Sequence, residues 1–124
     1  MYFRSKHFIF MSKLLTLEHL KIQDCHNLSS TCLQSIGVMM SLKYLYIWPS
    51  ENMRPTDAEF AHLGNLKSLQ TLVIVGMRKL TDASLGVIGK LTGIEKLDIS
   101  GCREFTDEGL VHLAALPNLL KYCA

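Results

Sequence analysis

Residues 42–50 read LKYLYIWPS. Leu42, Leu45 and Ile47 supply an apolar stripe for one face of a strand. Tyr44, Tyr46 and Trp48 fill the alternate places, where a strand with one wet face carries polar side chains. The leucine pattern of this stretch recurs along the chain. LEHLKIQDC occupies 17–25, LQTLVIVGM 69–77 and IEKLDISGC 94–102, and LLKYCA at 119–124 begins a fifth copy. Successive starts are 25, 27, 25 and 25 residues apart. Self-similarity at a period of 20–50 residues marks a solenoid or an array of stacked units.

The intervening segments repeat as well. SSTCLQSIGVMMSL (29–42), TDAEFAHLGNLKSL (56–69), TDASLGVIGKLTGI (81–94) and TDEGLVHLAALPNL (106–119) align without gaps. Apolar residues fall at every third position, as in Leu85, Ile88, Leu91 and Ile94, or Leu110, Leu113, Leu116 and Leu119. That spacing predicts a short helix or a 3₁₀-like helix with one apolar stripe. The leading Ser or Thr is an N-cap, the following Asp suits the positive end of the helix dipole, and Thr56 with Glu59 spells a capping box. FIFMSKLLTL (8–17) fits the same frame through Phe8, Met11, Leu14 and Leu17.

Each unit therefore reads as strand, turn, helix and return. Strands separated by a helix lie parallel, and right-handed crossovers wind them into a coil. The chain resembles a leucine-rich-repeat protein, and CREFTDEGL (102–110) is similar to the hallmark of the cysteine-containing subclass found in F-box adaptors. Cys25 and Cys102 stand at the hallmark position, with Ser50 and Met77 in the other two units. The resemblance covers roughly residues 5–122. It implies an α/β, right-handed leucine-rich-repeat solenoid with short parallel strands on a concave face and short helices on the convex face. Residues 1–124 form one such domain in this reading, and the frame runs into both ends. The chain thus reads as a piece of a longer solenoid, or as one whose ends are covered or pair with another copy through a strand edge.

In that frame the side chains alternate with the leucines and face the concave side. They are His19, Lys21 and Gln23 on the first strand, then Tyr44, Tyr46 and Trp48. Thr71, Val73 and Val75 follow on the third strand, and Lys96, Asp98 and Ser100 on the fourth. The second and third strands carry a contiguous aromatic and aliphatic patch rimmed by polar strands. Tyr and Trp are enriched at binding hot spots, which makes Lys21, Gln23, Tyr44, Tyr46, Trp48, Thr71, Val73, Val75, Lys96 and Asp98 the candidate protein-binding residues. The competing reading is that aromatic and β-branched side chains merely steady a sheet through cross-strand pairs. WPSENMRP (48–55) makes the second unit longer than its neighbours, as an edge that grips a partner or as a tolerated surface insertion.

Catalytic chemistry finds little footing. Asp24, Cys25 and His26 are adjacent on an extended backbone and diverge. Cys25 and Cys102 lie three rungs apart, about 14 Å at a strand spacing of about 4.8 Å, beyond disulfide or shared-zinc reach. Hallmark thiols are expected to be small buried groups, whereas Cys123 is expected on the exposed side of the last strand. His62 and His112 recur with the helices, and Asp57, Asp82 and Asp107 recur with the caps. No phosphate-binding glycine pattern follows a strand. Thirteen Lys and Arg against eleven Asp and Glu form no basic block, which disfavours nucleic acid. No apolar run approaches the about 20 residues of a membrane span, and no signal-peptide core develops near the start.

The resulting expectation is a non-catalytic, intracellular module, cytoplasmic or nuclear. It needs no cofactor or metal, and it binds a protein or peptide on its concave sheet. The resemblance adds substrate recognition for an F-box-type ubiquitin ligase. The alternatives are an assembly component that self-associates through its ends, and a repeat fragment of a pathogen effector or immune receptor.

Overall fold

A computed structural model describes residues 16–23, 30–49 and 55–123. Five strands form one sheet in the order β1-β2-β3-β4-β5, every pair parallel. They are β1 His19–Gln23, β2 Tyr44–Trp48, β3 Thr71–Ile74, β4 Lys96–Asp98 and β5 Lys121–Cys123. The register keeps the sequence frame. Leu20, Leu45, Leu72, Leu97 and Tyr122 stand side by side as successive partners, and Ile22, Ile47 and Ile74 form a second row. Entry to each strand repeats one device, in which a single carbonyl accepts two successive N–H groups of the next unit. Glu18 O takes Lys43 and Tyr44, Lys43 O takes Gln70 and Thr71, Gln70 O takes Glu95 and Lys96, and Glu95 O takes Leu120 and Lys121.

The helices follow from the three-residue stripe. They are α1 Ser30–Gly37, α2 Asp57–Phe60, α3 Asp82–Ile88 and α4 Asp107–Leu110. Two of them pass directly into 3₁₀ turns, Ala61–Asn65 after α2 and Val111–Ala115 after α4. A stripe at every third position suits three residues per turn, so the tighter helix keeps Leu63 and Leu113 pointing inward. Leu33, Ile36, Phe60, Leu63, Leu85, Ile88 and Leu113 join the strand leucines in one apolar cluster. Gly37 and Gly89 hold equivalent places in their units, and each meets the backbone of the next one. A Cβ at Gly37 would collide with the His62 carbonyl, and one at Gly89 would lie 2.6 Å from the His112 carbonyl. Helices of neighbouring units therefore approach to backbone contact where no side chain intervenes.

The repeated aspartates do more than favour their own helix dipoles. Asp57 reaches forward into the next unit, where its Oδ1 accepts Thr81 N at 2.9 Å and Ser84 Oγ at 2.6 Å while its Oδ2 accepts Thr81 Oγ1 at 2.5 Å. Asp82 repeats this on Thr106, taking its N–H at 2.9 Å and also its hydroxyl. Each threonine in turn caps its own helix, Thr81 accepting Ala83 N and Thr106 accepting Gly109 N, both at 3.4 Å. Gly109 leaves the space that the Asp82 carboxylate occupies. Ser84, the one buried polar side chain among the described residues, is satisfied through Asp57. The capping box of α2 takes a variant form. The Thr56 hydroxyl donates to the Glu59 carboxylate at 3.2 Å, where the usual arrangement has the glutamate accepting the backbone N–H of the cap residue.

Burial raises the Asp57 pKa, but the hydroxyls of Ser84 and Thr81 and the Thr81 N–H more than offset it and leave it below the ordinary value. The hydroxyl and N–H of Thr106 likewise hold Asp82 low. A carboxyl whose folded pKa lies below its unfolded value near 3.9 stabilises the fold above that pH, and the contribution fades as pH falls toward the folded pKa. Urea midpoints measured from pH 7 down to about pH 3 should therefore fall less steeply for Asp57→Asn than for the wild-type chain. Asp57→Ala should lower the unfolding free energy at pH 7 by about 1–2 kcal/mol, in the range of a lost helix cap. Parallel pH profiles for Asp57→Asn and wild type would remove the ladder from the account of stability.

Candidate protein-binding face

One side of the sheet is sealed into the apolar cluster and the other is open. The strand residues on the sealed side, Leu20, Ile22, Leu45, Ile47, Leu72, Ile74 and Leu97, are at most 2% exposed. Side chains on the open side are half-buried or exposed throughout. Parallel sheets are usually covered on both faces, which makes the composition of this one informative. The register arranges it in rows across the strands. The first row is His19, Tyr44, Thr71, Lys96 and Lys121; the second is Lys21, Tyr46, Val73, Asp98 and Cys123; Gln23 and Trp48 begin a third.

Tyr44, Tyr46, Trp48 and Val73 thus share one face of the sheet, and Trp48 is 49% exposed there. Tyr46 and Trp48 lie 6.4 Å apart between ring centroids, tilted by 58°. The Lys21 ammonium sits 5.5 Å from the Tyr46 ring centroid, within cation–π range. Tyr44 stacks on His19 at 5.8 Å and 28°. His19 is an addition to the candidate set, since the aromatic surface starts on β1 rather than β2. The sequence frame already put both on one face, and the signal for it was its register position opposite Tyr44.

Other candidates join less fully. Val75 falls one residue beyond β3, although its N–H still reaches Ile47 O at 3.3 Å and its side chain is half-buried. Asp98 lies in the second row, but its Oδ1 accepts both the N–H and the hydroxyl of Ser100, at 2.9 and 2.5 Å, and so fastens the turn after β4. Thr71 and Val73 stand where expected, as partners of Tyr44 and Tyr46. Asp24, Cys25, His26, Ser50, the insertion residues 51–54, the early stripe of Phe8, Met11 and Leu14, and Ala124 lie outside the described residues.

The thiols divide by place. Cys102 is 9% exposed and its Sγ lies 3.6 Å from Ile74 O, donating across to the previous unit. Burial pushes its pKa up. Met77, at the same frame position, is buried more fully, at 1% exposure, in an apolar role. Cys32 is packed in the core cluster, whereas Cys123 is exposed at the end of the second row of the open face. Among the described residues, no group of three or more His, Cys, Asp or Glu is placed to hold a metal ion, and no helix is long and apolar enough to cross a membrane.

No family model matches the chain, and no curated protein does. A solved structure, an internalin (inlF) from Listeria monocytogenes, is similar with a TM-score of 0.58 at 19% identity, over 90% of this chain and 36% of that one. The present chain thus spans about a third of that chain's length, and the likeness carries the leucine-rich-repeat fold. The fold in turn makes thiol reactivity a direct reading of the surface. Brief treatment of the native chain with iodoacetamide near neutral pH should modify Cys123 and spare Cys32 and Cys102 until urea unfolds it, as tryptic mass spectrometry can follow. Early modification of Cys102 would contradict its burial.

Proposed function

We propose that the chain is a non-catalytic recognition module that holds a protein or peptide against its open sheet face, the concave side of a right-handed solenoid. One observation carries this reading. Tyr44, Tyr46 and Trp48 stand on consecutive outward positions of β2, and Val73 continues their surface on β3. Leu45 and Ile47 already fill the sealed side, so the apolar core does not call for these rings. Large amphipathic rings that contact one another over a short span form a surface a partner can desolvate in one piece. The leucine-rich-repeat fold supports binding in general. Substrate presentation to a ubiquitin ligase is a narrower form of the proposal, supported by the resemblance of CREFTDEGL alone.

The test is selection of a random peptide library on the immobilised chain, with Tyr46→Ala/Trp48→Ala as a parallel bait and a thermal scan as the folding control. The wild-type chain should enrich peptides that the double variant fails to retain, by about tenfold or more per hot-spot residue removed. Both substitutions are on the open face, so the melting temperature should change by no more than a few degrees. Equal retention by the two baits would reject the open face as the binding site.

A further inference from the structure

Resting on that reading, we infer that the partner is an extended segment with an apolar or aromatic anchor followed, three to four residues later, by acidic side chains. The observation is the far end of the first row. Lys96 and Lys121 are register partners on adjacent parallel strands, both exposed and pointing to the open face. Like charges directly opposite one another on a sheet oppose folding. Among the described residues neither ammonium has a carboxylate within ion-pair distance; Glu18 and Lys43, 3.1 Å apart, make up the ion pair found there. The carboxylate on the outward rows nearest to them, Asp98, is turned to Ser100. Glu95, half-buried in the turn before β4, makes no ion pair with either lysine. The free protein therefore keeps two cations beside each other at the rim of an aromatic patch, and a bound anion would relieve their repulsion.

Spacing turns this into a pattern. Adjacent strands are about 4.8 Å apart, so β4 lies about 10 Å and β5 about 14 Å from the aromatics of β2. An extended peptide advances about 3.3–3.6 Å per residue. Lys96 and Lys121 share the row of Tyr44, and Tyr46 stands one row over. A segment crossing the strands along that row with its anchor on Tyr44 and Tyr46 brings its third following residue over Lys96 and its fourth over Lys121. Charge complementarity of this kind steers encounter and selects among partners more than it sets the final affinity.

Two phage-displayed peptide libraries test the inference. They share one fixed Phe and differ at the third and fourth residues after it, with Asp or Glu in one and Lys or Arg in the other. Selected on the intact chain at about 50 mM salt, the acidic library should be enriched about tenfold over the basic one. The preference should fade at about 500 mM, where screening is strong. Lys96→Glu/Lys121→Glu should invert the preference, and if that variant does not fold, the salt dependence and Lys96→Gln/Lys121→Gln decide. Equal enrichment of both libraries that still requires Tyr46 would overturn the acidic partner and leave the binding face standing. Enrichment that ignores Tyr46→Ala, or no enrichment of either library, would overturn both.

Discussion

Every rung of this chain depends on the next to cover its leucines. A single strand–helix unit has too little interior to bury Leu45, Ile47, Phe60 and Leu63 alone, and it becomes stable by laying that apolar surface against the equivalent surface of its neighbour. Phase is therefore the governing constraint. With a side-chain period of two along each strand, a slip of one residue would turn the leucine row out to solvent and the tyrosines into the core. The constant frame of the units, kept even where the second is longer, holds Leu20, Leu45, Leu72 and Leu97 in one row.

Stacking at this distance exposes polar groups to burial, and two successive junctions solve that problem in the same way. The N-terminal N–H groups of a short helix have no partner within the helix. At α3 and α4 a threonine of the same unit takes one, and an aspartate of the preceding unit takes the N–H and hydroxyl of that threonine. Units are thus tied through side chains on the helix side and through shared carbonyls at each strand entry. At the junction of α3 with α4, Gly89 lets the helices come close enough for both ties to form together. Among the described residues no buried side-chain nitrogen or oxygen lacks a partner, as expected where the polar contacts repeat with the fold. The open face is free of these duties apart from Asp98, and its composition can answer to other demands.

Much of this could be read from the chain itself because the repeat supplies its own alignment. The five strands, the inward leucines, the three-residue helical stripe and the outward tyrosines all follow once the copies are superposed. The forward reach of Asp57 and Asp82 was less legible. A cap residue and its dipole partner are local features of one unit, whereas the contact to Thr81 or Thr106 is a property of how two units approach. His19 was put on the open face but left out of the candidate set, since its value lies in stacking on Tyr44 across a strand boundary. Asp98 was placed on the correct face, but a side chain that can bond two residues onward within its own turn does so before it meets a partner. The proximity of Lys96 to Lys121 was implicit in the register and became meaningful only when the carboxylates around them proved to be engaged or out of reach.

Methyl–methyl nuclear Overhauser contacts in the intact chain probe the common phase of the stacked rungs most directly. A chain of contacts should run from Leu20 to Leu45 to Leu72 to Leu97 in sequence order, with the Val73 methyls absent from it and close to the Tyr46 ring instead. Contacts that skip a rung, or Val73 methyls inside the leucine row, would contradict both the stacking and the open aromatic face that depends on it.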